Sequence, residues 1–164
     1  VFRVSDTPAT PAPLGPTPGY LVWRLANKWR TAVDQALAPL NLTHAQYVVL
    51  ASLSGMERSG RQPSQRELAD HTGLEALYVS KLARSLEAAG LVGRARDTED
   101  TRVVRLALTD EGRTTVRPAI DTVQVLLDQL LIPLGGLDDR RTEDFKQTLA
   151  LLLDTPLGPA RESR

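Results

Sequence analysis

The stretch Ser64-Gln65-Arg66-Glu67-Leu68-Ala69-Asp70-His71-Thr72-Gly73, with the segment Glu75–Leu108 behind it, decides the fold. Ser64-x-x-Glu67 is a capping box, in which a hydroxyl and a carboxylate satisfy each other's backbone donors at a helix start. It predicts a short helix that stops at Thr72-Gly73, where glycine tolerates a positive φ. A second helix follows from about Glu75 to Ala89, with Val79, Leu82, Ala83 and Leu86 on its inward face and Gly90 as its stop. Small Ala69 at the crossing, Gly73 in the turn, and Val79 and Leu82 as anchors are what a helix-turn-helix requires. Beyond Gly90 the period changes to two. Val104, Leu106 and Leu108 alternate with Val103, Arg105 and Ala107, which predicts a half-buried strand. Its partner is Val92–Arg96, and Asp97–Thr101 is the turn between them. Helix, helix, hairpin is the order of a winged helix-turn-helix, here over residues 64–108.

Asp100 and Arg102 lie two apart, so they share a face if the strand reaches them. The carboxylate can then fix the guanidinium's direction. An arginine held at a hairpin tip suits the narrow, electronegative minor groove of DNA. The alternative is a surface ion pair that only stiffens the turn, worth at most about 1 kcal/mol.

Outward from this module the pattern is helical. Leu21, Leu25, Trp29, Ala32 and Ala36 recur at helical spacing between Tyr20 and Leu37, with Pro39 beyond. Thr43-x-x-Gln46 is another capping box, opening a helix through Tyr47, Leu50 and Leu53 to Gly55. Met56–Pro63 reads as a polar loop. Thr109 caps a helix to about Ile132, broken by Pro133 and Gly135-Gly136, and a last helix spans about Asp138–Asp154. Val116, Ile120, Val123, Leu127 and Leu130 form a heptad seam on the Thr109–Ile132 helix. That helix would be about 36 Å long, more than a compact lobe covers. The seam is either core or a dimer interface, and the apolar stripes of the first and last helices favour the dimer. The fold class is therefore mainly α, a winged helix-turn-helix with a small β-hairpin wing and flanking N- and C-terminal dimerisation helices. The expected organisation is an extended arm at 1–19 containing Pro8, Pro11, Pro13, Pro16 and Pro18, a single domain at 20–154, and a tail at 155–164. Within the domain, 20–55 and 109–154 are the dimerisation helices.

Composition narrows the function. The 164 residues are 41% hydrophobic and 24% charged, as expected of one globular domain. The sequence lacks a run of about 18 apolar residues and a basic segment leading into an apolar one, so neither a membrane span nor a signal peptide is expected, and a cytoplasmic location is. With no cysteine, disulfides, thiolate zinc sites and thiol redox sensing are excluded. His44 and His71 are not at metal-pair spacing, so no metal or cofactor is expected. Lys+Arg and Asp+Glu are both 20, yet Leu77–Arg105 is net positive through Lys81, Arg84, Arg94, Arg96, Arg102 and Arg105. No nucleophile elbow, phosphate loop or supported carboxylate pair points to an enzyme.

The chain resembles the MarR family of transcriptional regulators from about Tyr20 to Leu153. The resemblance rests on Glu67-Leu68-Ala69 with Gly73, on Leu86-Glu87-Ala88-Ala89-Gly90-Leu91-Val92, and above all on Asp100-x-Arg102 followed by Leu108-Thr109-x-x-Gly112. It implies a homodimer paired through its terminal helices, bound to a roughly palindromic operator of double-stranded DNA, often released by a small aromatic or anionic ligand. Three departures stand out. Leu77 and Tyr78 occupy places where the family has small hydroxylated residues, Ala88 and Ala89 replace bases, and Thr101 replaces a second wing arginine.

These readings give the candidate site residues. Ala76, Leu77, Ser80 and Lys81 are candidates for base edges; Leu77 can pack on a thymine methyl. Tyr78 is either a phosphate or stacking contact or a core residue. Ser64, Gln65 and Arg84 are placed for phosphates, and Arg94, Arg96, Asp100 and Arg102 belong to the wing. The dimer candidates are Leu21, Leu25, Val116, Ile120, Val123, Leu127, Leu130, Phe145, Leu149 and Leu152. Trp23, Asn27, His44 and Tyr47, with Trp29 and Arg24 nearby, line a ligand pocket or simply pack. The competing function is a winged-helix module that binds a protein instead of DNA, which the zero net charge and missing bases keep open.

Overall fold

Five of the six helices open on a side chain that accepts a first-turn N–H, which leaves fewer backbone donors unpaired. In this computed structural model, which describes residues 15–158, Thr17 Oγ1 caps α1 (Pro18–Leu37) and Thr43 Oγ1 caps α2 (His44–Arg58). Ser64 Oγ caps α3 (Gln65–Thr72), Thr109 Oγ1 caps α5 (Asp110–Leu131) and Asp139 caps α6 (Arg140–Asp154). Both predicted capping boxes close reciprocally: Ser64 N–H donates to Glu67 Oε2 at 2.7 Å, and Thr43 N–H to Gln46 Oε1 at 3.0 Å. The exception is α4 (Ala76–Ala88), whose N-cap Glu75 makes no side-chain cap bond. Gly73 turns α3 into α4 at φ 69°.

β1 (Val92–Arg96) pairs antiparallel with β2 (Val104–Leu108), Val92 opposite Leu108 and Arg96 opposite Val104. A third segment joins this ribbon: Ser64 bridges to Arg105, and Leu106 N–H donates to Pro63 O at 2.9 Å. The hairpin is thereby tied to the N-terminus of α3. One core runs beneath all of it, through Val33 and Leu37, Val49, Leu50 and Leu53, Leu68, Val79 and Leu86, and Leu106, each fully buried. Burying one such side chain stabilises by about 1.5–3 kcal/mol.

Several boundaries move. Met56 is no loop residue, because α2 continues to Arg58 and buries Met56 on the stripe of Val49 and Leu53; Gly60, at φ 70°, follows the helix end instead of Gly55. Pro18 and Gly19, expected in the arm, are helical instead, since Thr17 caps a helix that starts at Pro18, a position where proline's missing N–H costs nothing. Pro8, Pro11 and Pro13 lie outside the described residues, as do 159–164 of the tail. Pro118 stands inside α5 on its exposed side.

The heptad seam divides. Val116 and Val123 belong to the protomer's own core, so they are not free to face a partner, and Ile120 packs against the same core. Leu127, Leu130 and Phe145 are half-buried. Leu21, Leu25, Leu149 and Leu152 are exposed, as are Tyr20, Val22, Trp23, Leu151 and Leu153. Terminal α1 and α6 therefore carry apolar faces that this protomer alone leaves uncovered.

Candidate nucleic-acid interface

Two elements project from the winged module: the first turns of α4 and the turn of residues 97–103 between β1 and β2. On α4, Val79, Leu82, Ala83 and Leu86 face the core, which turns Ala76, Leu77, Tyr78, Lys81 and Arg84 outward. Leu77 is 83% exposed. Tyr78 is exposed too, so the core alternative for it falls. Ser80 is half-buried, and Arg84 folds back on it, donating from Nε to Ser80 O at 3.3 Å and from a terminal nitrogen to Ser80 Oγ at 3.2 Å. Lys81 makes no ion pair among the described residues, and neither does exposed Arg66 on α3, which the sequence reading passed over.

At the wing, Asp100 and Arg102 lie in the turn, not on the strand, yet the clamp forms. Asp100 Oδ1 accepts from Arg102 N–H and from Nε, both at 3.0 Å, and Oδ2 accepts from a terminal nitrogen at 3.1 Å. The guanidinium holds the Asp100 carboxyl below its ordinary pKa, aided by the Arg102 amide. The Arg102 side chain remains 89% exposed, so the pair aims a cation at solvent from a rigid base. Arg96 donates to Thr101 O at 3.0 Å and braces the same turn.

Other predicted contacts are turned inward. Ser64 is buried, its hydroxyl engaged as the α3 cap. Arg94 is paired with Glu87 at 3.0 Å, and its side chain is only 23% exposed. With its amide oxygen toward that arginine, Gln65 accepts from Arg94 Nε at 3.2 Å and a terminal nitrogen at 3.3 Å. These three residues are engaged within the protein, joining β1, α3 and α4.

The central strut is Arg105, which the sequence pattern shows as one more base on the outward phase of the strand. Its Nε donates to Asp97 Oδ2 at 2.7 Å, and a terminal nitrogen donates to Glu67 Oε2 at 3.0 Å and Gln62 O at 3.3 Å. Asp97 also accepts the N–H groups of Glu99 and Asp100, so its pKa falls from 3.8 to about 2. One arginine thus binds the turn, the hairpin and the α3 capping box into a single body. Sequence separation hides it, because Glu67 lies 38 residues from Arg105.

A second strut reaches α5. Glu57 Oε1 accepts Leu108 N–H at 2.9 Å, while Arg113 donates Nε to Glu57 Oε2 at 3.1 Å. Beside it, Arg58, Arg113 and Arg117 line a recess of about 510 Å³ between α2 and α5, with Ser54, Glu57, Ile120 and Asp121. The four residues expected to form a ligand pocket do not meet. Trp23 and Asn27 line one shallow recess on α1, His44 lines another facing α4, and Tyr47 packs against the core. Burial lowers the His44 pKa and raises that of Tyr47. No helix among the described residues is long and apolar enough to cross a membrane.

Residues 33–118 match the model of the transcriptional regulator SarA/Rot family. The HTH-type transcriptional repressor Rv2887 of Mycobacterium tuberculosis is 33% identical over 144 residues, which is 88% of this chain and 96% of that protein. Among solved structures, a MarR-family transcriptional regulator from Rhodococcus sp. RHA1 superposes with a TM-score of 0.72 at 26% identity, covering 85% of this chain and 94% of that one. CouR from Rhodococcus jostii RHA1, bound to p-coumaroyl-CoA, gives 0.72 at 27% identity over 86% and 94%. The repressor CouR bound to a 23-mer DNA duplex gives 0.67 at 29% identity over 84% and 89%.

Proposed function

Because this chain belongs to the SarA/Rot family of transcriptional regulators, with a winged helix-turn-helix of MarR type, we propose that it is a homodimeric repressor of an inverted-repeat operator. The observation that carries this reading is the pairing of two projections, the Leu77–Lys81 face of α4 and the clamped Arg102, on one braced body. A two-fold dimer sets its recognition helices in major grooves about 34 Å apart, one helical turn. In that pose Ala76, Leu77 and Lys81 meet base edges, Tyr78, Arg84 and Arg66 meet phosphates, and Arg102 enters the flanking minor groove. The exposed apolar faces of α1 and α6 support the dimer. Its place of action on this reading is the cytoplasm, and no catalysis is assigned to it.

Release by a small anion fits the same frame. The recess between α2 and α5 has the volume of a small-molecule site and is lined by three arginines against two carboxylates, Glu57 and Asp121. An anionic ligand there competes with Glu57 for Arg113, and Glu57 holds the end of β2 through Leu108 N–H. Loosening that contact shifts the wing relative to α4, a differential effect of the kind release requires.

Fluorescence anisotropy tests the reading, with the duplex immediately upstream of the chain's own coding sequence and a scrambled duplex as competitor. Preference for the upstream duplex, falling steeply with added salt, is expected. Equal affinity for both duplexes at moderate salt would overturn it in favour of a protein-binding module. Hydroxycinnamic and hydroxybenzoic acids added to the preformed complex then probe release.

A further inference from the structure

Leu77 is the outlier on the DNA-facing surface. It is the second residue of α4, 83% exposed, and nothing within the protomer covers it. On its N-terminal side stands Ala76, small and exposed, after an N-cap whose side chain does not fold over the helix end. The backbone of the first turn can therefore approach a surface closely. Lys81 and Arg84 follow four and seven residues later, on the same side of the helix. The face is an apolar head with a basic shank, and no carboxylate interrupts it between residues 76 and 84.

A leucine beside one exposed tyrosine and two bases is poorly matched to a protein partner, since stable protein interfaces cover about 800 Å² per side around a desolvated apolar cluster. It is well matched to duplex DNA. Arg84 answers the phosphates, Lys81 stands beside the base edges, and the major groove presents one apolar group there, the C5-methyl of thymine. The N-terminal residues of a recognition helix are those that reach base edges.

Resting on the regulator reading above, we propose that Leu77 is the specificity determinant of α4, reading a thymine methyl in each half-site by apolar contact. A hydroxylated residue at this position would accept or donate at several bases. Leucine does neither, so it discriminates for thymine and against cytosine and purines, whose polar edges it would leave unsatisfied.

Replacement of thymine by deoxyuridine removes the methyl and keeps every hydrogen bond of the base pair. The experiment uses the full chain and the preferred duplex found upstream of its gene, with each thymine replaced in turn by deoxyuridine, symmetrically in both half-sites. One replacement is expected to weaken wild-type binding about fourfold per half-site, the fold-change equivalent to about 0.8 kcal/mol per buried carbon. Leu77→Ala is expected to bind the thymine and deoxyuridine duplexes equally, at the weaker level. Its exposure leaves folding intact, which the thermal midpoint of the variant checks. If every deoxyuridine duplex binds wild type within twofold while preference over scrambled DNA persists, the methyl contact is refuted and the regulator reading stands. If no duplex is preferred at all, both fall. A Leu77→Ala variant that still discriminates deoxyuridine assigns the methyl to another residue and also refutes the proposal.

Discussion

Arg105 and Asp97 form the shortest ion pair of the molecule's described residues, Nε to Oδ2 at 2.7 Å, and it joins β2 to the first residue of the wing turn. The Asp97 carboxylate is held mainly by the Asp100 amide, then by Arg105 and the Glu99 amide, so its pKa lies at about 2 instead of 3.8. A carboxyl whose pKa is depressed on folding stabilises the native state above its unfolded pKa, and that contribution disappears as pH falls through the folded value. Asp97→Asn should therefore be less stable than wild type near neutrality, with the gap narrowing from 3.8 downward and closing near pH 2. Urea midpoints across that range check it. A gap independent of pH would show that the carboxylate's charge is not what braces the turn.

Glu57 joins three elements with one carboxylate, accepting Leu108 N–H at 2.9 Å and two Arg113 nitrogens at 3.1 and 3.2 Å. Glu57→Ala strands a part-buried amide and removes the partner of Arg113. The expected loss is about 1–3 kcal/mol, which is roughly 3–10 °C in melting temperature for a chain of this size. Glu57→Gln, which can still accept from Leu108 N–H, should lose less than half as much. Equal losses in the two variants would place the effect in charge alone.

The local grammar of this sequence is legible because the competing terms are local. Ser64 with Glu67, and Thr43 with Gln46, announce their helices since each box closes within one turn. The strand pair reads from period-two alternation, but its register of Val92 with Leu108 does not, because the turn runs on past Thr101 to Val103. Gly55 misleads, because its helix propensity costs only about 1 kcal/mol and burial of Met56 outweighs it. What cannot be read is which cations are free. Arg94 and Arg105 look like DNA ligands in a list of bases, and tertiary pairing with Glu87, Asp97 and Glu67 removes them. Arg66, a plain helical surface residue in sequence, is exposed and makes no ion pair among the described residues.

Gly112 explains the ending of the wing signature. A Cβ built on it would stand within clashing distance of the Leu91 carbonyl oxygen, and 3.0 Å from the Leu91 carbonyl carbon. Thr109 Oγ1 meanwhile donates to Gly90 O at 2.6 Å, so α5 is pressed onto the chain that enters β1. Gly112→Ala must push backbone from backbone. It should destabilise by about 3 kcal/mol or more, although alanine is the better helix former. A melting temperature at or above that of wild type would contradict this packing.

Arg102 separates binding from stability. Its pair with Asp100 is exposed and screened by solvent, so it adds little to stability. Arg102→Ala should melt within about 2 °C of wild type, lose about tenfold in operator affinity, and reduce the salt slope by about one. Asp100→Asn should weaken affinity less, because the cation remains while its aim is lost. Titrations at two salt concentrations decide it; unchanged affinity in Arg102→Ala would remove the wing from the interface.

The terminal helices make the last prediction. Leu21 on α1 and Leu152 on α6 are 51% and 60% exposed, and on α6 only Phe145 among the large apolar residues is even half-buried. Such apolar faces on two helices are costly to leave in water, and on the proposed reading a second copy of the chain covers them. Substituting Asp at Leu152 places a carboxylate where an apolar contact forms, a loss of about 2 kcal/mol or more and some thirtyfold in dimer Kd. Adding Leu21→Asp should leave a monomer at micromolar concentration in sedimentation velocity. If, as proposed, the operator is held through two half-sites, the monomer should bind it orders of magnitude more weakly while a single half-site duplex is bound as before. A double variant that still sediments as a dimer would move the interface away from α1 and α6, and with it the spacing of the two recognition helices.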